Sequence, residues 1–161
     1  MSDDDPRQRA SQLFLEAYRQ QMNGELEKAV ELYQKSIEIF PTAEAHTFLG
    51  WTYSFTGNYD RAIAECRRAI ELDPDFGNPY NDIGAYLIEK GQLNEAIPWL
   101  EKATCARRYE NPEFPYCNLG RIWELKHDIP RALRAYQKAL EMKPSYPAAR
   151  AAIHRLKARF N

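Results

Sequence analysis

The stretch AEAHTFLGWTYSFTGNYDRAIAECRRAIELDPDF, residues 43–76, decides the fold. It divides at Gly57 into two amphipathic halves. The first carries Leu49, Gly50 and Tyr53, the second Ala62, Cys66 and Ala69, and Pro74 closes the unit. Apolar residues three and four apart within each half predict helices. A glycine between them supplies the left-handed backbone that a tight turn needs. Counted from Ala43, small residues stand at positions eight, twenty and twenty-seven.

The same spacing can be followed through most of the chain. Position eight is Ala17, Gly50, Gly84 and Gly120; position twenty is Ala29, Ala62, Ala96 and Ala132; position twenty-seven is Ser36, Ala69, Ala103 and Ala139. Helices that cross at these points approach closely only if no bulky side chain intervenes. Large apolar residues fit the same scheme, with Tyr80, Ile83 and Leu87 in the third copy and Tyr116, Leu119 and Trp123 in the fourth. The pattern resembles the tetratricopeptide repeat family, W-x2-L-G-x2-Y, then A-x3-F, then P, over about 34 residues. The resemblance covers about nine-tenths of the chain. It implies an all-α fold, a right-handed superhelical solenoid of four helix-turn-helix repeats plus a C-terminal capping helix. The repeats span about 10–42, 43–76, 77–112 and 113–146, the cap 147–160, all within a single domain over 7–161.

Four places depart from the pattern. Residues 1–6 hold three aspartates and a proline with nothing apolar to bury, so disorder is expected there and ordered structure from Arg7. In the first copy, positions seven and eleven are Glu16 and Gln20, while the apolar stripe runs through Phe14, Leu15, Tyr18 and Met22. Either that helix is rolled or its turn carries an extra residue or two. After the third copy, Arg108 replaces the closing proline and residues 109–115 delay the next helix by two residues, which predicts a longer loop. That loop is either a tolerated insertion or a lip of the binding groove. His127 takes the turn position held elsewhere by glycine, and histidine tolerates the left-handed conformation better than most side chains.

Composition narrows the function. With 22 basic and 23 acidic residues the chain is nearly neutral, which disfavours nucleic acid as a partner. The distribution is uneven: residues 1–120 hold 12 basic against 20 acidic, and 121–161 hold 10 against 3. The N-terminus lacks an apolar run and no later stretch suits a membrane span, so a cytoplasmic location is expected. Cys66, Cys105 and Cys117 show no paired spacing and read as free thiols rather than metal ligands. No phosphate loop or metal motif is present, and no histidine is placed to activate Cys117. Neither an enzymatic activity nor a cofactor is expected.

The family resemblance implies that the first helix of each repeat lines a concave groove and that positions two, five, six, nine, twelve and thirteen face into it. The candidates so placed are Thr47, Phe48, Trp51 and Phe55 in the second repeat, Asn81 and Asp82 in the third, and Asn118 and Arg121 in the fourth, with Phe14 and Tyr18 of the irregular first repeat as further candidates. Phe48, Trp51 and Phe55 form either an exposed interaction surface or a cluster packed on the first repeat or on the loop at 111–115. An asparagine amide can donate to and accept from a peptide unit at once, and Arg121 suits a carboxylate. The two-carboxylate clamp of chaperone-binding members is missing in both registers. The first offers Phe14, Tyr18, Phe48, Asn78 and Asp82 where the clamp needs lysine, asparagine and arginine, and the second offers Thr47, Trp51, Asp82, Phe114 and Asn118. The expected function is a non-enzymatic scaffold or adaptor that takes a protein or peptide segment in the groove. The alternatives are head-to-tail self-assembly between the acidic and basic ends, and less favoured nucleic-acid binding through the basic C-terminal region.

Overall fold

Wherever the repeat places a small residue, two helices cross. The computed structural model describes residues 5–160 and contains, among them, nine helices. They are α1 (Pro6–Met22), α2 (Leu26–Ile39), α3 (Ala43–Ser54), α4 (Tyr59–Leu72), α5 (Asn78–Glu89), α6 (Leu93–Thr104), α7 (Glu113–Leu125), α8 (Ile129–Met142) and α9 (Pro147–Phe160). Consecutive helices pair as α1/α2, α3/α4, α5/α6 and α7/α8, each pair stacks on the next, and α9 lies against α8. The molecule is an all-α solenoid.

All twelve small residues at positions eight, twenty and twenty-seven are buried. Position twenty-four lies beneath position eight of the same repeat and is also buried, as Tyr33, Cys66, Leu100 and Tyr136. Where that residue is tyrosine, an acceptor at position twelve takes its hydroxyl hydrogen: Tyr33 donates to Gln21 at 2.7 Å and Tyr136 to Glu124 at 2.7 Å. A buried hydroxyl without a partner would cost about 1–3 kcal/mol. The middle repeats avoid that need by using Cys66 and Leu100.

The first helix is in register after all. Ala10, Ala17 and Gln21 form its buried face with Phe14 partly covered, whereas Leu15, Tyr18 and Met22 are exposed. Neither a roll nor extra residues are present. Glu16 and Gln20, at positions seven and eleven, are partly exposed, and Gln20 donates to Glu16 at 2.8 Å. The start of the fold also differs from expectation, for Pro6 opens α1 and Asp5 caps it, accepting from the Arg7 N–H at 3.0 Å. Proline's fixed φ suits the first helical position, where no N–H is needed. Residues 1–4 of the segment expected to be disordered lie outside the described residues.

Three of the four turns between paired helices use glycine at positive φ, Gly24, Gly57 and Gly91, and the fourth uses His127 at φ 61°. Pro98 sits inside α6 without ending it. The long connection after α6 is a built element. The Arg108 N–H donates to the Asp75 carbonyl at 2.9 Å, and the Gly77 N–H donates to the Arg108 carbonyl at 3.0 Å. The Arg108 guanidinium sits 4.2 Å from the Phe76 ring centroid and pairs with Asp73 at 2.6 Å and Glu44 at 2.9 Å. This segment straps the second repeat to the third. At the far end α9 buries Ala149, Ala152 and Leu156, and its position-eight residue, His154, is exposed.

Candidate interaction groove

The odd-numbered helices present their positions six, nine and thirteen to one side, and read across the stack these form three rows. Position six runs Leu15, Phe48, Asp82, Asn118; position nine runs Tyr18, Trp51, Ala85, Arg121; position thirteen runs Met22, Phe55, Glu89, Leu125. The first two columns are apolar and the last two mostly polar. Leu15, Tyr18, Met22 and Phe55 are all exposed large hydrophobics. Leu15 and Met22 were not among the sequence candidates, because the irregular first helix hid its register.

The aromatic residues divide between the two readings left open by the sequence. Phe48 packs on the first repeat, its ring edge-on to Phe14 at 5.2 Å and Tyr18 at 5.8 Å between centroids. Trp51 is half-buried between Phe48 at 5.8 Å and Phe55 at 5.2 Å. Phe55 is 54% exposed. The cluster is therefore anchored at one end and open at the other.

A cavity of about 280 Å³ opens beside it. It is lined by Thr47, Phe48 and Trp51 of α3, by Asn78 and Asp82 of α5, and by Tyr109 with Phe114. The strap after α6 thus supplies a side of the groove, because Tyr109 belongs to it. Thr47 is buried and donates to the Ala43 carbonyl at 2.7 Å, so its methyl rather than its hydroxyl is left for the cavity. The Asp82 carboxylate is half-buried and has no ion-pair partner among the described residues. Burial pushes its pKa up to about 7, opposed only by the Asn81 amide.

The polar candidates are brought together and are largely occupied by one another. Asn118 donates to the buried Asn81 at 3.0 Å and accepts from Arg121 at 3.2 Å, and Arg121 also pairs with Glu89 at 3.2 Å. The carboxylate expected for Arg121 is therefore found within the chain. A second hollow of about 460 Å³ follows toward the C-terminus, lined by Cys117, Leu125, Ala148 and Ala152 together with polar side chains that include Glu124 and Arg155. There Glu124 is held by Arg155 at 2.8 and 2.9 Å and by the Tyr136 hydroxyl. The Arg155 pairing holds the Glu124 carboxyl below the usual carboxylate range. Sequence reasoning missed this cluster, whose partners lie on three helices.

Among the described residues no group of three histidine, cysteine or acidic side chains is placed to hold a metal ion. None of their helices is long and apolar enough to cross a membrane.

Comparison with known proteins agrees with this architecture. Two tetratricopeptide repeat family models match, over residues 43–76 and 65–97. The small glutamine-rich tetratricopeptide repeat-containing protein 2 of Mycosarcoma maydis is 30% identical over 95 residues, 58% of this chain and 27% of that protein. The match takes in about a quarter of the length of such curated relatives. The structure of pilF from Pseudomonas aeruginosa superposes with a TM-score of 0.88 at 21% identity, covering 96% of this chain and 70% of that one. YrrB, a tetratricopeptide protein with an unusual peptide-binding site, superposes at 0.71 with 19% identity, covering 89% and 73%. At such identities the likeness of the two structures is one of fold. The small-residue register, the helix pairs stacked in order and the matching repeat models together place the chain in the tetratricopeptide repeat family.

Proposed function

We propose that the chain is a non-enzymatic scaffold that holds a segment of a partner protein in the groove formed by α1, α3, α5 and α7. The observation that carries this reading is the cavity lined by Trp51, Phe114 and Asp82, with exposed apolar side chains on α1 beside the aromatic cluster. Exposed aromatic groups beside a hollow are the usual anchors of an interface. A volume of about 280 Å³ falls just under the range of about 300–1,000 Å³ typical of small-molecule sites, and suits one or two side chains. Asn118 borders the apolar region and spends one of its two amide hydrogens on the buried Asn81, so the other can be offered to a peptide backbone. The peptide-binding site named for YrrB lends support by analogy of fold.

The test is capture of partners from the source cell's lysate by the chain and by its Trp51→Ala, Asn118→Ala double variant. A protein enriched by the unaltered chain is expected to be lost with the variant, while helicity is kept and melting stays cooperative at a somewhat lower midpoint. Equal capture by both would move the binding surface away from the groove.

A further inference from the structure

We propose that the pocket between Trp51, Phe114 and Asp82 receives the guanidinium or ammonium group of an arginine or lysine side chain on the bound segment. This inference rests on the groove reading above and specifies its ligand.

The argument starts from what each class of side chain would meet. Asp82 lines the cavity and has no ion-pair cation among the described residues, and Phe48, Trp51, Tyr109 and Phe114 line it as well. Above about pH 7, where Asp82 is ionised, an apolar side chain would cover the carboxylate and strip its remaining water without replacing it, which is costly for a charged group. An acidic side chain would add like-charge repulsion. A cation gains from both features, because a carboxylate pairs with it and aromatic faces attract it. Arginine gains most, since its flat guanidinium can stack on a ring while bonding an oxygen at its edge.

The arginines on the neighbouring segments are already engaged, Arg108 with Asp73 and Glu44, and Arg121 with Glu89 and Asn118. Neither is paired with Asp82. The excess of acidic over basic residues across residues 1–120 gives this part of the chain a field that attracts a basic segment.

The other titratable groups felt by Asp82 are the Cys66 thiol from α4, Tyr86 from the next turn of α5 and Tyr109 from the strap. Burial pushes all three up, so each is neutral near pH 7. Asp82, up at about 7 when the pocket is empty, is then the group that titrates against the ligand. A bound cation favours the ionised carboxylate. Affinity for a basic segment is therefore full above about pH 7 and is lost as pH falls through it.

The test is selection of phage-displayed random heptapeptides on three proteins: the unaltered chain, Asp82→Asn, and the Trp51→Ala, Asn118→Ala double variant. Arginine or lysine is expected at one position beside apolar residues on the unaltered chain, with that preference erased on Asp82→Asn and the apolar preference kept. A selected arginine peptide is expected to lose about tenfold or more in affinity on Asp82→Asn, or when citrulline replaces its arginine. Peptides that depend on Trp51 but show no basic preference, or keep it on Asp82→Asn, would overturn the inference and leave the groove reading standing. If no peptide's capture depends on Trp51 and Asn118, the groove reading fails and this inference with it.

Discussion

At Gly84 a Cβ atom would stand 2.4 Å from a Leu100 methyl carbon, and at Gly120 it would stand 2.6 Å from the Tyr136 ring. Leu100 is fully buried and has nowhere to swing, so the helices themselves would have to part. Gly84→Ala is expected to cost about 1–3 kcal/mol, read as a lower urea midpoint with an unchanged slope. An unaltered midpoint would show that the crossing is looser than described. Asp82 makes the opposite prediction. Its carboxyl holds a proton up to about pH 7 in the folded chain and only to about pH 4 when unfolded. The folded state therefore binds more protons between those values, and stability falls as pH rises through that window. Asp82→Asn is expected to melt higher than the unaltered chain above about pH 7, by about 1–3 kcal/mol after allowance for partial exposure, with the gap closing toward about pH 4. A gap independent of pH would contradict the assignment. A stabilising substitution that removes binding is the usual mark of a functional residue.

Among the elements, the strap between α6 and α7 is the one whose role exceeded its sequence signal. The missing closing proline and the two added residues announced a longer loop, but the partners of Arg108 are Asp73 and Glu44, in another part of the chain. No local pattern encodes such a contact. Arg108→Ala is expected to leave global melting within about 1 kcal/mol, because the pairs are surface-exposed. Amide exchange over 105–112 should nonetheless quicken, since the strap's anchor is lost. Unchanged exchange there would show that the backbone bonds to Asp75 and Gly77 suffice. The helix pairs were far more legible. Small residues at crossings and glycine or His127 at turns obey short-range sterics that a single sequence displays directly. The first helix misled because Glu16 and Gln20, which bond each other, stand where later repeats carry an apolar pair.

For the molecule as a whole, the solenoid separates what holds it together from what it offers. Positions eight, twenty, twenty-four and twenty-seven close the stack, and positions six, nine and thirteen remain to face a partner. The repeat register predicts which residues face the groove, but not which of them the chain uses for itself. Phe48 is drawn into the first repeat, Asn81 and Asn118 bond each other, and Arg121 is held by Glu89. What remains open is Trp51, Phe55 and Asp82, together with the exposed face of α1, where the register pointed to Tyr18 but not to Leu15 and Met22. The central claim is that this open strip is the binding surface. Amide hydrogen exchange of the chain with and without its captured partner tests it most directly. The account predicts slowing concentrated in α1, α3, α5 and the strap at 105–112. Slowing confined to α2, α4 and α6, or to the basic face of α8 and α9, would contradict it.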